Sequence, residues 1–83
     1  MFQVIKRDGS KADFTLTKIN DAIMKAFTAT QMSYNNDIID LLALRVTADF
    51  QKKVENDEIH VEDIQDSVEN VLIQAGYSDV AKA

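Results

Sequence analysis

The chain has 83 residues, no cysteine, no proline and a formal net charge of −5 at pH 7. This length allows one domain with a single modest core, and the lack of cysteine excludes disulfides and thiolate metal sites. The negative charge opposes general binding to nucleic acid. No apolar run is long enough to span a membrane and no signal-peptide pattern occurs, so we expect a cytoplasmic protein.

Positive charge is concentrated in the first third of the chain. Residues 1–26 carry a net charge of +2, whereas residues 27–83 carry −7. This separation favours a small anionic ligand over a long polyanion. Lysines also protect exposed edge strands against aggregation, and composition alone leaves that structural role equally open.

The N-terminal residues have a pattern typical of a β-hairpin. Val4-Ile5 leads into the adjacent cations Lys6-Arg7, and Asp8-Gly9 then turns the chain, because glycine adopts positive φ without steric cost. Residues 11–15 return as the second strand and lead to a helix that opens at Lys18-Ile19. Since helix N-termini and paired cations both favour anions, the hairpin and this helix start together predict a site for a phosphate chain.

Two helices are predicted after the hairpin. The first follows an N-cap at Thr17 and runs from Lys18 to Ala29, with apolar residues at three- and four-residue spacing. The second runs from Asp37 to Glu55, and its first half is apolar nearly all round. Such a helix is normally central in a bundle or covered by a partner, which makes its first half a candidate partner surface.

A short third strand and a third helix complete the predicted bundle. Residues 58–60 are expected to pair beside the hairpin, and a helix from Glu62 to Ala75 follows, ended by a left-handed Gly76. Ser78 is the predicted N-cap of a fourth helix that is still incomplete at Ala83, which indicates a domain truncated in its last helix. We therefore expect an α+β, mainly α fold, a bundle of three to four helices capped by a small three-stranded sheet.

Catalysis finds little support in the sequence. The single histidine, His60, has no nucleophile near it in the chain, and neither of the common glycine-rich phosphate loops occurs. The neighbouring acids Glu62-Asp63 fall in a predicted first helical turn, where they are ordinary partners of the helix dipole. No general base or water-positioning group is apparent, so we expect no hydrolysis of ATP.

Ligand binding has better candidates. Lys6, Arg7 and Lys18 are the residues expected to hold phosphate, because arginine offers a planar fork of donors and lysine a mobile point charge. Val4 and Ile19 are expected to supply apolar walls for a base.

Taken together, these patterns resemble the ATP-cone, a regulatory nucleotide-binding domain found at the N-terminus of ribonucleotide reductases and in a bacterial repressor of reductase genes. The similarity covers essentially the whole chain. It rests on the order and spacing of Val4-Ile5-Lys6-Arg7-Asp8-Gly9, Phe14, Lys18-Ile19, Ala22-Ile23, Ile59, Val61-Glu62-Asp63-Ile64-Gln65, Val68-Glu69 and Tyr77-Ser78-Asp79-Val80-Ala81.

The resemblance implies a single ATP-cone regulatory domain over residues 1–83, with an ATP-cone-like bundle and ATP or dATP bound beneath the hairpin. From the residues themselves we expect no catalytic residue and no metal ligand, so that Mg²⁺ would enter only through the phosphates. The nucleotide-binding residues that the resemblance implies are Val4, Lys6, Arg7, Lys18, Ile19, Val61, Ile64 and Gln65.

Two departures from the class I reductase pattern make the chain look closer to the anaerobic, class III enzymes. Some class I cones have a glutamate where this chain has Ala12, and they favour a histidine where it has Gln65. The run from Ile64 to Asn70 also looks closer to class III. A further basic residue that some cones use in the last helix would lie beyond Ala83.

The resulting hypothesis is an allosteric sensor, not an enzyme, that controls the overall activity of a ribonucleotide reductase, most like the anaerobic ribonucleoside-triphosphate reductase. Its expected partners are an adenine nucleotide and the catalytic domain of the parent reductase. A homo-oligomer is one arrangement that we consider, and we expect binding to neither nucleic acid nor membrane. The alternatives are the ATP-cone of another reductase class or of the repressor, and a helical protein-interaction module that binds no nucleotide.

Overall fold

A computed structural model describes residues 2–82 of the chain. Within those residues, helices follow a hairpin, and a third strand lies between the second and third helices. The elements in chain order are β1 (Gln3–Ile5), β2 (Lys11–Asp13), α1 (Leu16–Ala29), α2 (Asn36–Phe50), β3 (Glu58–His60), α3 (Val61–Gln74) and α4 (Ser78–Ala81). The predicted mainly helical α+β fold is confirmed.

The three strands form one sheet in the order β2-β1-β3. β1 pairs antiparallel with β2 and parallel with β3, which places Val4 opposite both Ala12 and Ile59. Because successive side chains of a strand point to opposite faces, these three share one face of the sheet. Ile59 belongs to the buried core and Val4 packs against it, so this face is turned toward the helices.

The turn between β1 and β2 depends on the positive φ of Gly9. The Gly9 amide donates to the Lys6 carbonyl at 3.0 Å, the Lys6 amide donates to the Ser10 carbonyl at 2.8 Å, and Gly9 has a φ of 87°. The Asp8 carboxylate accepts from the Ser10 hydroxyl at 2.6 Å and from the Ser10 amide at 2.9 Å. The hydroxyl bond first and the amide bond second lower the pKa of Asp8, so its carboxylate stays charged and holds the turn.

The hydrophobic core lies between the inner face of the sheet and α1, α2 and α3. At the sheet end, the ring of Phe50 lies edge-on to Phe2 and Phe14, with centroids 5.6 and 5.5 Å away. At the other end, Val80 of α4 is fully buried. The remaining buried apolar residues of the helices are Ile19, Ile23, Phe27, Ile39, Leu42, Ala43, Val46, Ile64, Val71 and Leu72.

The predicted end of α3 is confirmed by its hydrogen bonds. Gly76 follows the helix with a φ of 91°. Its amide donates to the Ile73 carbonyl at 3.1 Å, and the Tyr77 amide donates to the Leu72 carbonyl at 2.8 Å. This pair of bonds satisfies carbonyls that the end of a helix leaves free, and it requires the left-handed conformation that glycine adopts most easily.

The predicted start of the first helix is wrong by two residues and the predicted end of the second by five, whereas the first helix ends at Ala29 as predicted. α1 begins at Leu16, so its N-cap is Thr15 and not Thr17: the backbone is extended at Thr15 and becomes helical at the next residue. α2 ends at Phe50 and continues as a short 3₁₀ turn, Gln51–Lys53, instead of reaching Glu55. The chain must extend and reverse at this point for β3 to pair with β1.

Smaller differences occur at the other two helices. α3 begins at Val61, one residue before the predicted start, because it follows β3 without a linker. Ser78 is the first helical residue of α4, so the N-cap residue is Tyr77 and not Ser78 as predicted. The predicted fourth helix extends to Ala83, which lies outside the described residues. No helix of residues 2–82 is long and apolar enough to cross a membrane.

Asn35 provides the side-chain cap of α2, and its removal should be measurable. Its side-chain oxygen accepts a hydrogen bond from the Ile38 amide at 2.8 Å. Asn35→Ala should lower the free energy of unfolding by about 1 kcal/mol in urea denaturation, because that amide loses its acceptor. Thr15→Ala, at the N-cap of α1, removes no such bond and is the matched control. Equal losses in the two variants would contradict this account of the cap.

Candidate functional site

A cavity of about 190 Å³ lies under the hairpin, between the first turns of α1 and α3. Its wall combines residues from β1, β2 and both helices, which are far apart in the sequence. Six residues implied by the sequence resemblance line it: Val4, Lys6, Lys18, Ile19, Val61 and Ile64.

The cavity exists because α2 keeps α1 and α3 apart and because small side chains face the gap. α2 packs against both α1 and α3, whereas α1 and α3 have little direct contact with each other. Ala12 on β2 and Ala22 on α1 both line the cavity. A methyl group at each position leaves space that a larger side chain would fill.

The wall has an apolar part and a cationic part. Val4, Ile19 and Ile64 are among the apolar residues that line the cavity. Lys6, beside the hairpin turn, and Lys18, in the first turn of α1, line the cavity and are exposed to solvent. A largely apolar pocket with a few polar or charged groups is typical of sites for small organic ligands, and the two ammonium groups favour a ligand that carries negative charge.

The two helices that open at this cavity lack a side-chain cap. Neither Thr15, the N-cap of α1, nor His60, the N-cap of α3, makes a side-chain capping bond. By contrast α2, which begins elsewhere in the bundle, is capped by Asn35. The first-turn amides of α1 and α3 are therefore free of a side-chain acceptor from their caps, and such helix starts favour anions.

Arg7 and Gln65 lie beside the cavity and do not line it. Arg7 Nη2 donates a hydrogen bond to Gln65 Oε1 at 2.9 Å, which joins the hairpin turn to α3. Arg7 Nε lies 3.9 Å from Glu62 Oε1, and both of these charged side chains are largely exposed. Arg7 lines an adjoining depression that shares Lys6 and Val61 with the cavity.

Six further residues line the cavity that were not among the expected ligand contacts. Strand alternation offers a signal for Ala12, which pairs with Val4. Helical spacing offers a signal for Ala22, three residues after Ile19, and for Val68, four residues after Ile64. The complete set of added lining residues is Ala12, Asp13, Phe14, Thr15, Ala22 and Val68.

The titratable residues considered for catalysis lie at the start of α3. His60 is exposed at the N-cap of α3, and Glu62 and Asp63 follow it in the first helical turn. Among residues 2–82, no group of three or more His, Cys, Asp or Glu side chains is arranged to hold a metal ion.

Comparison with known proteins connects this arrangement to reductases. The chain is 40% identical, over 95% of its length, to the ribonucleoside-diphosphate reductase subunit alpha of Chlamydia pneumoniae. It is 36% and 31% identical, over 99% and 96% of its length, to the anaerobic ribonucleoside-triphosphate reductases of Haemophilus influenzae and Escherichia coli. The chain spans only 8%, 11% and 11% of these three proteins, respectively.

The family model of the ATP cone domain matches residues 2–83, which is nearly the whole chain. Its match agrees with the observed architecture, in which a three-stranded sheet covers one end of a helical bundle. The chain therefore belongs to the ATP-cone family of nucleotide-binding regulatory domains.

Proposed function

We propose that this chain is the allosteric domain that controls the overall activity of a ribonucleotide reductase, with ATP or dATP as its effector. The observation that carries the proposal is the cavity beneath the hairpin. There an apolar wall adjoins Lys6 of the hairpin and Lys18 of α1, and both helices that begin at the cavity lack a side-chain cap. Membership of the ATP-cone family favours an adenine nucleotide as the ligand.

In this proposal the two parts of the nucleotide use the two parts of the wall. The base contacts apolar side chains such as Val4, Ile19 and Ile64, and the phosphates are drawn toward Lys6 and Lys18. Val61 adds to the apolar wall, while Arg7 and Gln65 act from its edge. Mg²⁺ accompanies the phosphates and is held by them and by water.

The regulatory step requires a partner for the domain. ATP and dATP differ by one ribose hydroxyl, and they shift an equilibrium only if they bind its two states with different affinities. Leu41 and Leu44 of α2 are 58% and 59% exposed, although their neighbour Leu42 is buried. We assign this exposed part of α2 to contact with the catalytic domain of the parent reductase, a cytoplasmic enzyme of the anaerobic type in this proposal.

Isothermal titration calorimetry with ATP, dATP and GTP at near-physiological salt tests the proposal. We expect ATP and dATP to bind and GTP to bind more weakly. The ground for this preference is membership of the ATP-cone family, whose description names ATP. No phosphate should be released. Absence of binding for all three nucleotides would favour the alternative, a protein-interaction module.

Filling the cavity should block the nucleotide without unfolding the domain. Ala22 is exposed on α1 and lines the cavity, so Ala22→Leu places three more carbon atoms in the space for the base. We expect ATP affinity to fall about tenfold or more in calorimetry, with an unchanged melting temperature. Ala48→Leu, at an exposed position of α2, is the control and should bind ATP normally. Normal binding by Ala22→Leu would place the nucleotide elsewhere.

A further inference from the structure

The side chain of Arg7 connects the hairpin turn to the start of α3. It donates a 2.9 Å hydrogen bond to Gln65, which is 58 residues away in the sequence. The same guanidinium lies 3.9 Å from the carboxylate of Glu62, one helical turn before Gln65. Arg7 therefore contacts a neutral acceptor and an anion on one helix.

These contacts lie at a depression beside the cavity. A depression of about 220 Å³ adjoins the cavity and is lined by Lys6, Arg7, Val61 and Glu62 among others. Lys6 and Val61 also line the cavity itself, so the two spaces meet at these residues. An anionic tail that leaves the cavity along Lys6 next encounters the cation of Arg7 and the anion of Glu62.

We propose that Gln65 and Glu62 act on Arg7 in opposite ways and thereby set the affinity for the nucleotide. Gln65 positions the guanidinium at the edge of the cavity, and Glu62 is the counter-anion that the phosphates must displace from it. This inference rests on the proposed function, because it takes the anion that arrives at Arg7 to be the nucleotide's phosphates.

The chemistry of the guanidinium allows both roles at once. Arginine has five N–H donors in a planar fork, so a single bond to Gln65 orients the group and leaves donors for phosphate. The side chains of Arg7 and Glu62 are 69% and 71% exposed, and an ion pair so exposed is weak. A phosphate group can therefore replace Glu62, and the competition adjusts affinity without preventing binding.

Two substitutions should change ATP affinity in opposite directions. Glu62→Gln removes the competing anion and should raise the affinity about two- to fivefold at low salt, with a smaller gain as salt screens the charges. Gln65→Ala removes the hydrogen bond that positions Arg7 and should lower the affinity by a similar factor. Calorimetry measures both, and the melting temperatures of the variants report whether they fold.

The Arg7→Ala background separates a positioning role from direct effects. If Glu62 and Gln65 act through the guanidinium, Glu62→Gln and Gln65→Ala should have no effect on ATP affinity once Arg7 is absent. Asp37→Asn is the charge control, since it removes an acid from the first turn of α2, roughly 20 Å along that helix from Phe50 at the sheet end. It should leave ATP affinity unchanged.

The possible outcomes are distinct. If the unsubstituted chain binds no ATP, the proposed function fails and this inference fails with it. If the unsubstituted chain binds ATP but Glu62→Gln fails to strengthen binding, or Gln65→Ala fails to weaken it, this inference alone is overturned. If Glu62→Gln or Gln65→Ala still changes ATP affinity in the Arg7→Ala background, this inference is also overturned, because the change does not then act through the guanidinium.

Discussion

Lys6→Ala and Lys18→Ala are each expected to weaken ATP binding by about tenfold or more. Both ammonium groups belong to side chains that line the cavity, one beside the hairpin turn and one in the first turn of α1. A hydrogen bond to a charged group contributes about 1.5–3 kcal/mol, which corresponds to a change in affinity of roughly tenfold or more. Calorimetry of each variant with ATP measures the loss directly.

Lys25→Ala is the matched control for the loss of a positive charge. Lys25 lies two turns after Lys18 on the same face of α1, is exposed, and lines a separate, open hollow. Its removal changes the net charge by the same amount and should leave ATP affinity nearly unaltered. A loss as large as that of Lys18→Ala would mean that the nucleotide responds to overall charge and not to this cavity.

Phe50→Ala is expected to destabilise the domain by about 3–5 kcal/mol, the usual loss for a buried phenylalanine. The side chain is fully buried, and its ring contacts Phe2 and Phe14 where the sheet meets the bundle. For a domain of this size, such a loss lowers the melting temperature by more than about 10 °C. Differential scanning calorimetry or thermal circular dichroism measures this shift.

The exposed Leu41 of the same helix provides the control for that prediction. Its side chain is 58% exposed, so Leu41→Ala removes little buried apolar surface and should change the melting temperature by only a few degrees. Similar decreases in both variants would contradict a core centred on Phe50. They would indicate instead that α2 loses stability wherever a large side chain is truncated.

Local chemistry made part of the fold predictable from the sequence. Asp8-Gly9 indicates a tight turn, and Gly76 after an apolar helical face indicates the end of a helix, because both glycines adopt the positive φ that these positions require. The apolar faces of the helices follow from three- and four-residue spacing in the same way. These turn and spacing signals were therefore predicted well, although the N-cap residues of α1 and α4 were not.

Features that depend on distant residues were predicted less well. The end of α2 is determined by the need to bring β3 alongside β1, more than fifty residues away, and not by the residues around Phe50. The cavity wall likewise forms only when β2, α1 and α3 meet. For this reason Ala12 and Val68 were missed. Ala12 pairs across the sheet with the predicted contact Val4, and Val68 lies one helical turn after the predicted contact Ile64.

The N-terminal lysines occupy two different kinds of position in the structure. Lys11 lies on β2, an edge strand of the sheet, and forms an ion pair with Glu58 of β3. This is the structural use of lysine on an exposed strand. Lys6 and Lys18 line the cavity instead. Under the proposed function, the excess positive charge of the first third of the chain serves both purposes, at different residues.

An NMR titration of the chain with ATP tests most directly whether the cavity under the hairpin is the nucleotide site. The account predicts that the largest amide shifts occur at Val4, Ile19 and Ile64, which line the cavity on three different elements. The amides at the start of α2, near Asp37, should shift little. Largest shifts at α2, or no saturable shifts at the cavity residues at millimolar ATP, would contradict it.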